Sequence, residues 1–171
     1  ITAEEETMGE RGMRAMLAHF AEQGIRIDMA IVGEPTAMQA AIGERGLVVL
    51  DGVATGKSGH AARNEGDNAL YKAVEDIALL RDYRFERVSE VLGDIKISIT
   101  QMSAGTQHNI VPDNCRFVVD VRTTDAYTNE QTAELLQGVV KHSTLTSRST
   151  RVRASAIPTT HPLVRAAMAA G

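Results

Sequence analysis

Tryptophan is missing from this chain of 171 residues, aromatic residues make up only 4%, proline occurs four times and cysteine once. The scarcity of aromatics removes the usual stacking platform for nucleic-acid bases. A net charge of −4 leaves no basic footprint for phosphates, so no nucleic-acid partner is expected. The single cysteine, Cys115, cannot form an internal disulfide, which fits a reducing compartment and a cytoplasmic location. It lies in Asp113-Asn114-Cys115-Arg116, with no helix start at hand, and reads as structural. No apolar run approaches the ~20 residues needed to span a bilayer, and no signal-peptide pattern is visible, so no membrane association is expected. What is present is ordinary for a globular protein: 43% hydrophobic and 23% charged residues, enough for one or two small domains with a real core.

The ends are unusual. The chain opens Ile1-Thr2-Ala3, which reads as the tail of a strand, and stops at Ala169-Ala170-Gly171 inside a helical pattern. A piece of a longer protein is expected.

Ala3 to Met13 is the stretch around which the rest is organised. Glu4, Glu5 and Glu6 are consecutive carboxylates that repel one another. Thr7 with Glu10 reads as a capping box that starts a helix from about Gly9 to Gln23. Met13, Met16, Leu17 and Phe20 form its apolar stripe, and Gly24 supplies the stop. The acids before such a helix either complement its dipole or form part of a site. Arg26 to Val32 reads as a short strand ended by Gly33-Glu34-Pro35, so strand, helix and strand form a βαβ unit. Ligands collect outside the carboxyl ends of parallel strands. Glu4–Glu6 and Glu34 would then share one sheet edge, as half a site for a divalent cation; Glu34 as a plain turn residue is the alternative.

From about Ala41 the texture changes. Leu47 to Ala54 reads as a strand, and Gly56-Lys57-Ser58-Gly59-His60 as a loop. Asp67 is the expected cap of a helix that carries Leu70, Val74, Ile77 and Leu80. Ile95, Ile97 and Ile99 alternate as in a half-buried strand, and so do Phe117, Val119 and Val121. Thr128 with Gln131 is a second capping box, before a helix presenting Leu135, Leu136 and Val139. Arg151 to Ile157 alternates again and reads as the last strand. The order β-α-β-β-α-β is the split βαβ or ferredoxin-like arrangement. The expected fold is therefore part of an α/β domain with an inserted α+β module. Residues 1–40 belong to the first, 41–157 to the module, and 158–171 return to the first, where His161 before Pro162 looks like a helix start.

The ordered set of motifs resembles the M20 family of zinc aminoacylases and exopeptidases. The set is Glu-Glu-Glu-x-x-Gly-x-x-Gly from Glu4, Gly33-Glu34-Pro35, Gly56-Lys57-Ser58-Gly59-His60, and Asn109-Ile110-Val111-Pro112 leading into a strand that reaches Arg122. The resemblance implies an α/β metallohydrolase domain with a ferredoxin-like lid that mediates homodimerisation. It implies two zinc ions per active site, with cobalt or manganese as substitutes, and a small N-acyl amino acid as substrate. Glu5 falls at the family's general base, a suitable group because the metals already lower the pKa of the water. Glu6 and Glu34 fall at ligands of the two zincs, and Glu4 stands where an Asp is usual. His60 resembles the lid histidine that reaches the partner subunit's active site and polarises the scissile carbonyl. Asn109 resembles a lid residue on the substrate or its oxyanion. Arg122 looks like the clamp on the substrate carboxylate.

On local grounds each of these residues has a plainer reading. His60 reads as a surface histidine, Asn109 as a shaper of the turn before Pro112, and Arg122 as a partner of Asp120 or Asp125. His19, His142 and His161 read as structural or exposed, and His108 is open. Gly105 to Asp113 looks closest to the acetylornithine or succinylornithine deacetylase branch, which acts in arginine biosynthesis. The family also requires a His-x-Asp zinc motif and a bridging Asp upstream, and a further histidine downstream; none is in this sequence. The chain alone is therefore expected to be inactive. Two other readings stay open: a non-catalytic dimerisation or ligand-binding module, and a dipeptidase or carboxypeptidase of the same family.

Overall fold

A computed structural model describes residues 11–33, 36, 37 and 39–170. The chain divides into two units, Ile1–Met38 and Gln39–Gly171.

Within the first unit the described element is α1 (Arg11–Glu22). Its expected start at Thr7 and Glu10 lies outside the described residues. Its end follows the glycine rule. Gly24 takes φ 66°, Ile25 N–H donates to the Phe20 carbonyl at 2.8 Å, and Gly24 N–H donates to that of Ala21 at 3.1 Å. This is a Schellman closure, which the missing Cβ of glycine permits. The strand expected over Arg26 to Val32 is not formed. A strand needs a paired neighbour to satisfy its backbone, and no ladder reaches this stretch among the described residues. Its apolar side chains stand out: Ile31 is 79% and Val32 74% exposed.

The second unit is built on β2 (Gly46–Thr55) and β6 (Asn114–Thr123), which pair antiparallel over their full length from Gly46↔Thr123 to Thr55↔Asn114. The short β1 (Gly43–Glu44) precedes them in the chain, and β3 (Gly59–His60) follows β2. Next come α2 (Ala69–Asp82), β4 (Lys96–Ala104), β5 (Ile110–Val111), and, after β6, α3 (Asn129–Val139) and β7 (Ser143–Ser147). β8 (Ser155–Ala156) and α4 (Pro162–Ala170) complete the order. The main sheet runs β4-β6-β2-β7, the ferredoxin-like order, with α2 and α3 as the crossovers. Cys115, Phe117, Val119, Val121 and Thr123 of β6 are buried against the helices, while Arg116, Val118, Asp120 and Arg122 point to the open face. The core is closed by Val48, Leu50, Ala69, Ala73, Leu80 and Leu136. Gly52 makes room in it: a Cβ there would lie 2.4 Å from the Phe117 ring.

Three expectations are corrected here. The fourth strand is β7, whose Ser-Thr-Leu-Thr-Ser run pairs with β2, and not Arg151 to Ile157. The latter alternates in exposure, yet only Ser155 and Ala156 pair, with Gly43 and Glu44. Its approach is held instead by Asn129, whose amide donates to the carbonyls of Thr150 and Val152 at 3.0 and 2.8 Å. Second, α2 buries Ala69, Ala73, Asp76 and Leu80, while Val74 is 51% exposed. Two alanines bring this helix close to the sheet and rotate the branched residue outward. Third, the N-cap is Asn68, whose Oδ1 accepts from Leu70 N–H at 2.9 Å. The box at Thr128 and Gln131 forms as expected.

Asp76 is the one carboxylate with no exposure among the described core residues. Its oxygens accept the N–H groups of Lys141 (2.7 Å) and His142 (3.0 Å), which follow the end of α3. Burial pushes its pKa up. These backbone donors outweigh that, together with attraction from the buried Ser143 hydroxyl, which lacks hydrogen-bonding geometry of its own, and hold it below the usual 3.8. A depressed folded pKa adds stability that is complete above the unfolded value and is lost as pH falls through the folded one. Asp76→Ala should therefore cost about 2–3 kcal/mol near neutral pH. That penalty should shrink as denaturant midpoints are measured at pH values falling below 3.8. A penalty independent of pH would contradict the assignment.

Candidate functional site

Glu5, Glu6 and Glu34 lie outside the described residues, as does the rest of the acidic cluster. Among the described residues no group of three histidine, cysteine or carboxylate side chains is placed to hold a metal ion. The geometry on the page is that of His60, Asn109 and Arg122.

His60 and Asn109 are far apart in sequence and adjacent in space. β3 pairs antiparallel with β5, His60 opposite Ile110, and Ala61 N–H donates to the Asn109 carbonyl at 2.9 Å. The loop between β2 and α2 folds tightly enough to do this because three positions carry no Cβ. A Cβ on Gly56 would lie 2.0 Å from the Asp67 carbonyl, one on Gly59 2.8 Å from Gly66 N, and one on Gly66 2.9 Å from Val111. Lys57 and Asp67 exchange both backbone hydrogen bonds at 2.8 Å across the base. The glycines that read as loop-formers in the sequence are thus required by close approach.

The ring of His60 is oriented by its own loop. Its Nδ1 accepts the Ala62 N–H at 3.1 Å. With Nδ1 an acceptor, the neutral ring carries its proton on Nε2 and presents a donor outward. His60 is exposed, as are Gln107 and His108, while Asn109 is half-buried. The tip therefore offers an imidazole donor, a carboxamide and a second imidazole to whatever meets it.

Arg122 is at the other end of the sheet. Eight residue steps along β6 take the chain from Asn114, beside the tip, to Arg122, a span of roughly 27 Å for an extended strand. Its guanidinium grips Asp120 on the same strand face, Nε to Oδ1 at 2.8 Å and a terminal nitrogen to Oδ2 at 3.2 Å. The Asp120 pairing read from the sequence is thus present, and the Asp125 one is not. Cys115 is fully buried, and burial pushes its thiol pKa up, in keeping with a structural role.

Among the described residues, two grooves were missed in the sequence, and neither contains His60, Asn109 or Arg122. One of about 460 Å³ lies on the open sheet face beside the bidentate Asp51–Arg148 pair. Another of about 640 Å³ lies along α3 and is lined by Tyr83, Tyr127, Leu135 and Gly138. Arg87 stacks over the Tyr127 ring there, 3.9 Å from its centroid. Their linings come from segments distant in sequence, so no local pattern announced them.

The class defined by this architecture is a ferredoxin-like α+β sandwich. An M20 family metallo-carboxypeptidase from Sulfolobus solfataricus superposes with a TM-score of 0.64 at 12% identity, over 91% of this chain and 56% of that one. A tripeptidase from Staphylococcus aureus gives 0.60 at 18% identity, over 75% and 35%. At these identities the likeness is one of fold. Residues 42–146 match the M20 peptidase dimerisation domain, and the chain belongs to that family. The succinyl-diaminopimelate desuccinylase of Paracoccus denitrificans is 31% identical over 144 residues, 80% of this chain and 38% of that protein. Desuccinylase 1 of Alteromonas mediterranea is 31% identical over 147 residues, 82% and 38%. The chain spans about two fifths of the length of these relatives. By name they act on succinyl-diaminopimelate, so they lend no support to the ornithine branch suggested by Gly105 to Asp113.

The loop geometry can be checked directly. Gly56→Ala should force the 56–67 loop off its base, shifting the amide resonances of Ala61 and Ala62 while those of Val119 and Val121 stay in place. Unshifted loop resonances would show that the close approach at Gly56 is not needed.

Proposed function

We propose that the chain is the lid-bearing part of a dinuclear zinc-dependent amidohydrolase of the cytoplasm that removes an N-acyl group from an amino acid. In this reading residues 1–40 and 158–171 belong to the catalytic domain and 41–157 form the lid. The names of the relatives favour a succinyl group on a diamino acid over the acetyl or succinyl group of an ornithine derivative. The observation that carries the reading is the pairing of β3 with β5, which sets His60 and Asn109 side by side at one tip.

Glu6 and Glu34 would hold the metals, whose chemistry is to lower the pKa of a bound water. Glu5 would accept that water's proton and return it to the leaving amine. His60, with its donor on Nε2, would polarise the amide carbonyl, and the Asn109 carboxamide would steady the charge that develops there. Arg122 would exchange Asp120 for the substrate carboxylate, a bidentate match of the same kind. The span of roughly 27 Å along β6 keeps Arg122 and His60 of one chain from meeting one small substrate. Two copies are then needed, with the lid tip of each serving its partner.

A homodimer also has a surface to form on. β4 is an outer strand of the sheet, nine residues long, with Met102 41% exposed. α2, which packs on it, exposes Tyr71 (68%) and Val74. A long edge of this kind invites pairing with a second copy unless charge blocks it. Met102→Lys should shift the chain toward monomer in sedimentation velocity; an unchanged dimer would place the interface elsewhere.

The activity is tested in the complete protein, with N-succinyl-diaminopimelate and N-acetylornithine as competing substrates. Glu5→Gln and His60→Ala should each lower kcat by at least about a hundredfold. Mixed and re-equilibrated, the two variants should regain about a quarter of the parental activity, because half of the random dimers hold one intact composite site. No recovery on mixing would sink the trans arrangement, and no deacylation of either substrate would sink the function.

A further inference from the structure

Lys72 occupies a poor place for a cation. It stands at the end of the first turn of α2, where the helix dipole disfavours positive charge, and that turn has no acidic residue to offset it. The helix does not need it as a cap, since Asn68 serves. Its ammonium instead reaches across the base of the His60 loop. Nζ donates to the Thr55 carbonyl at 3.0 Å and pairs with the Asp67 carboxylate. Thr55 is the last residue of β2, and Asp67 directly precedes the cap of α2. One side chain therefore holds both ends of the 56–66 loop, and its own exposure is only 27%.

We infer that Lys72 is a positioning residue for His60, acting through Thr55 and Asp67 to hold the loop in the register that pairs His60 with Ile110. The inference rests on the reading that His60 works at an active site. The path is short and continuous. Lys72 neutralises Asp67 beside the Thr55 carbonyl, which would otherwise face a bare carboxylate. Asp67 holds Lys57 through two backbone bonds, and Gly56 sits against the Asp67 carbonyl. From there the chain runs directly into β3 and the Ala61 to Asn109 bond. A pair this exposed on the Asp67 side would add little to global stability. Its effect falls on the loop, whose ends at Thr55 and Asp67 it joins through one side chain.

The test uses the 171-residue chain and reads the solvent exchange of single amides. Lys72→Met should raise exchange at Ala61 and Ala62 about tenfold, as loss of a charged hydrogen bond implies. Val119 and Val121, in the core, should not change. Asp67→Asn should loosen the same amides, and the double variant should add little to either single one, since both break the same link. Lys72→Arg, which keeps the charge and the donors, should restore the parental pattern. Unchanged rates at Ala61 and Ala62 in Lys72→Met, fully additive effects in the double variant, or a rise that includes Val121 would each overturn the inference. In the complete protein Lys72→Met should lower kcat and leave KM near the parental value. If the loop loosens as expected but His60→Ala leaves activity intact, the functional reading fails and the positioning role stands.

Discussion

The unbroken pairing of β2 with β6 is the constraint on which the rest depends. It joins segments some seventy residues apart and sets which side chains face the helices. A slip of one residue would turn Phe117, Val119 and Val121 out to solvent and carry Arg116, Asp120 and Arg122 into the core. The register is guarded by Gly52, which alone leaves space for the Phe117 ring. Where the ladder ends, at Thr55 and Asn114, only a few residues of chain on each side lead to the β3–β5 pair, which holds His60 beside Asn109. The tip is a separate two-stranded sheet that the chain ties to the core ladder on both sides.

That continuity explains how a glycine-rich, exposed segment can hold a side chain in place. Exposed loops usually lose local structure easily. Here the loop is fixed from three directions: by its own close glycine contacts, by β5, and by the Lys72 ammonium at its base. Each contribution is small, and none lies in the hydrophobic core. The orientation of the imidazole then follows from one further bond, Ala62 N–H to Nδ1. On the proposed function, the precision needed for a donor that enters a neighbouring subunit's site comes from this arrangement.

On the proposed function, Arg122 and the His60 tip would divide the labour along one strand. Their separation along β6 would then make each copy of the module a bridge between two places instead of the wall of one. A small carboxylate-bearing substrate that touched both would lie between two chains. Dimerisation would in that case be a condition of catalysis, and the family to which the chain belongs is defined by a dimerisation domain.

The sequence by itself determined what local physics controls. Alternation marked β4 and β6, the Leu47 to Ala54 run read as the strand that became β2, the Thr128–Gln131 box started α3, Gly24 ended α1, and the ordered motifs pointed to the family. These features depend on neighbours a few residues away, which is why they could be read. Only the tertiary structure decided the rest. It chose β7 over Arg151 to Ile157 as the fourth strand, because pairing with β2 and not alternation defines membership of a sheet. It turned Val74 outward, because two alanines allow a closer helix–sheet approach than the branched stripe. It gave Asp67 to Lys72 instead of to the helix cap, and Arg122 to Asp120 rather than Asp125. It also brought His60 to Asn109. Each of these outcomes is a choice among partners distant or equivalent in sequence, and the folded backbone makes that choice.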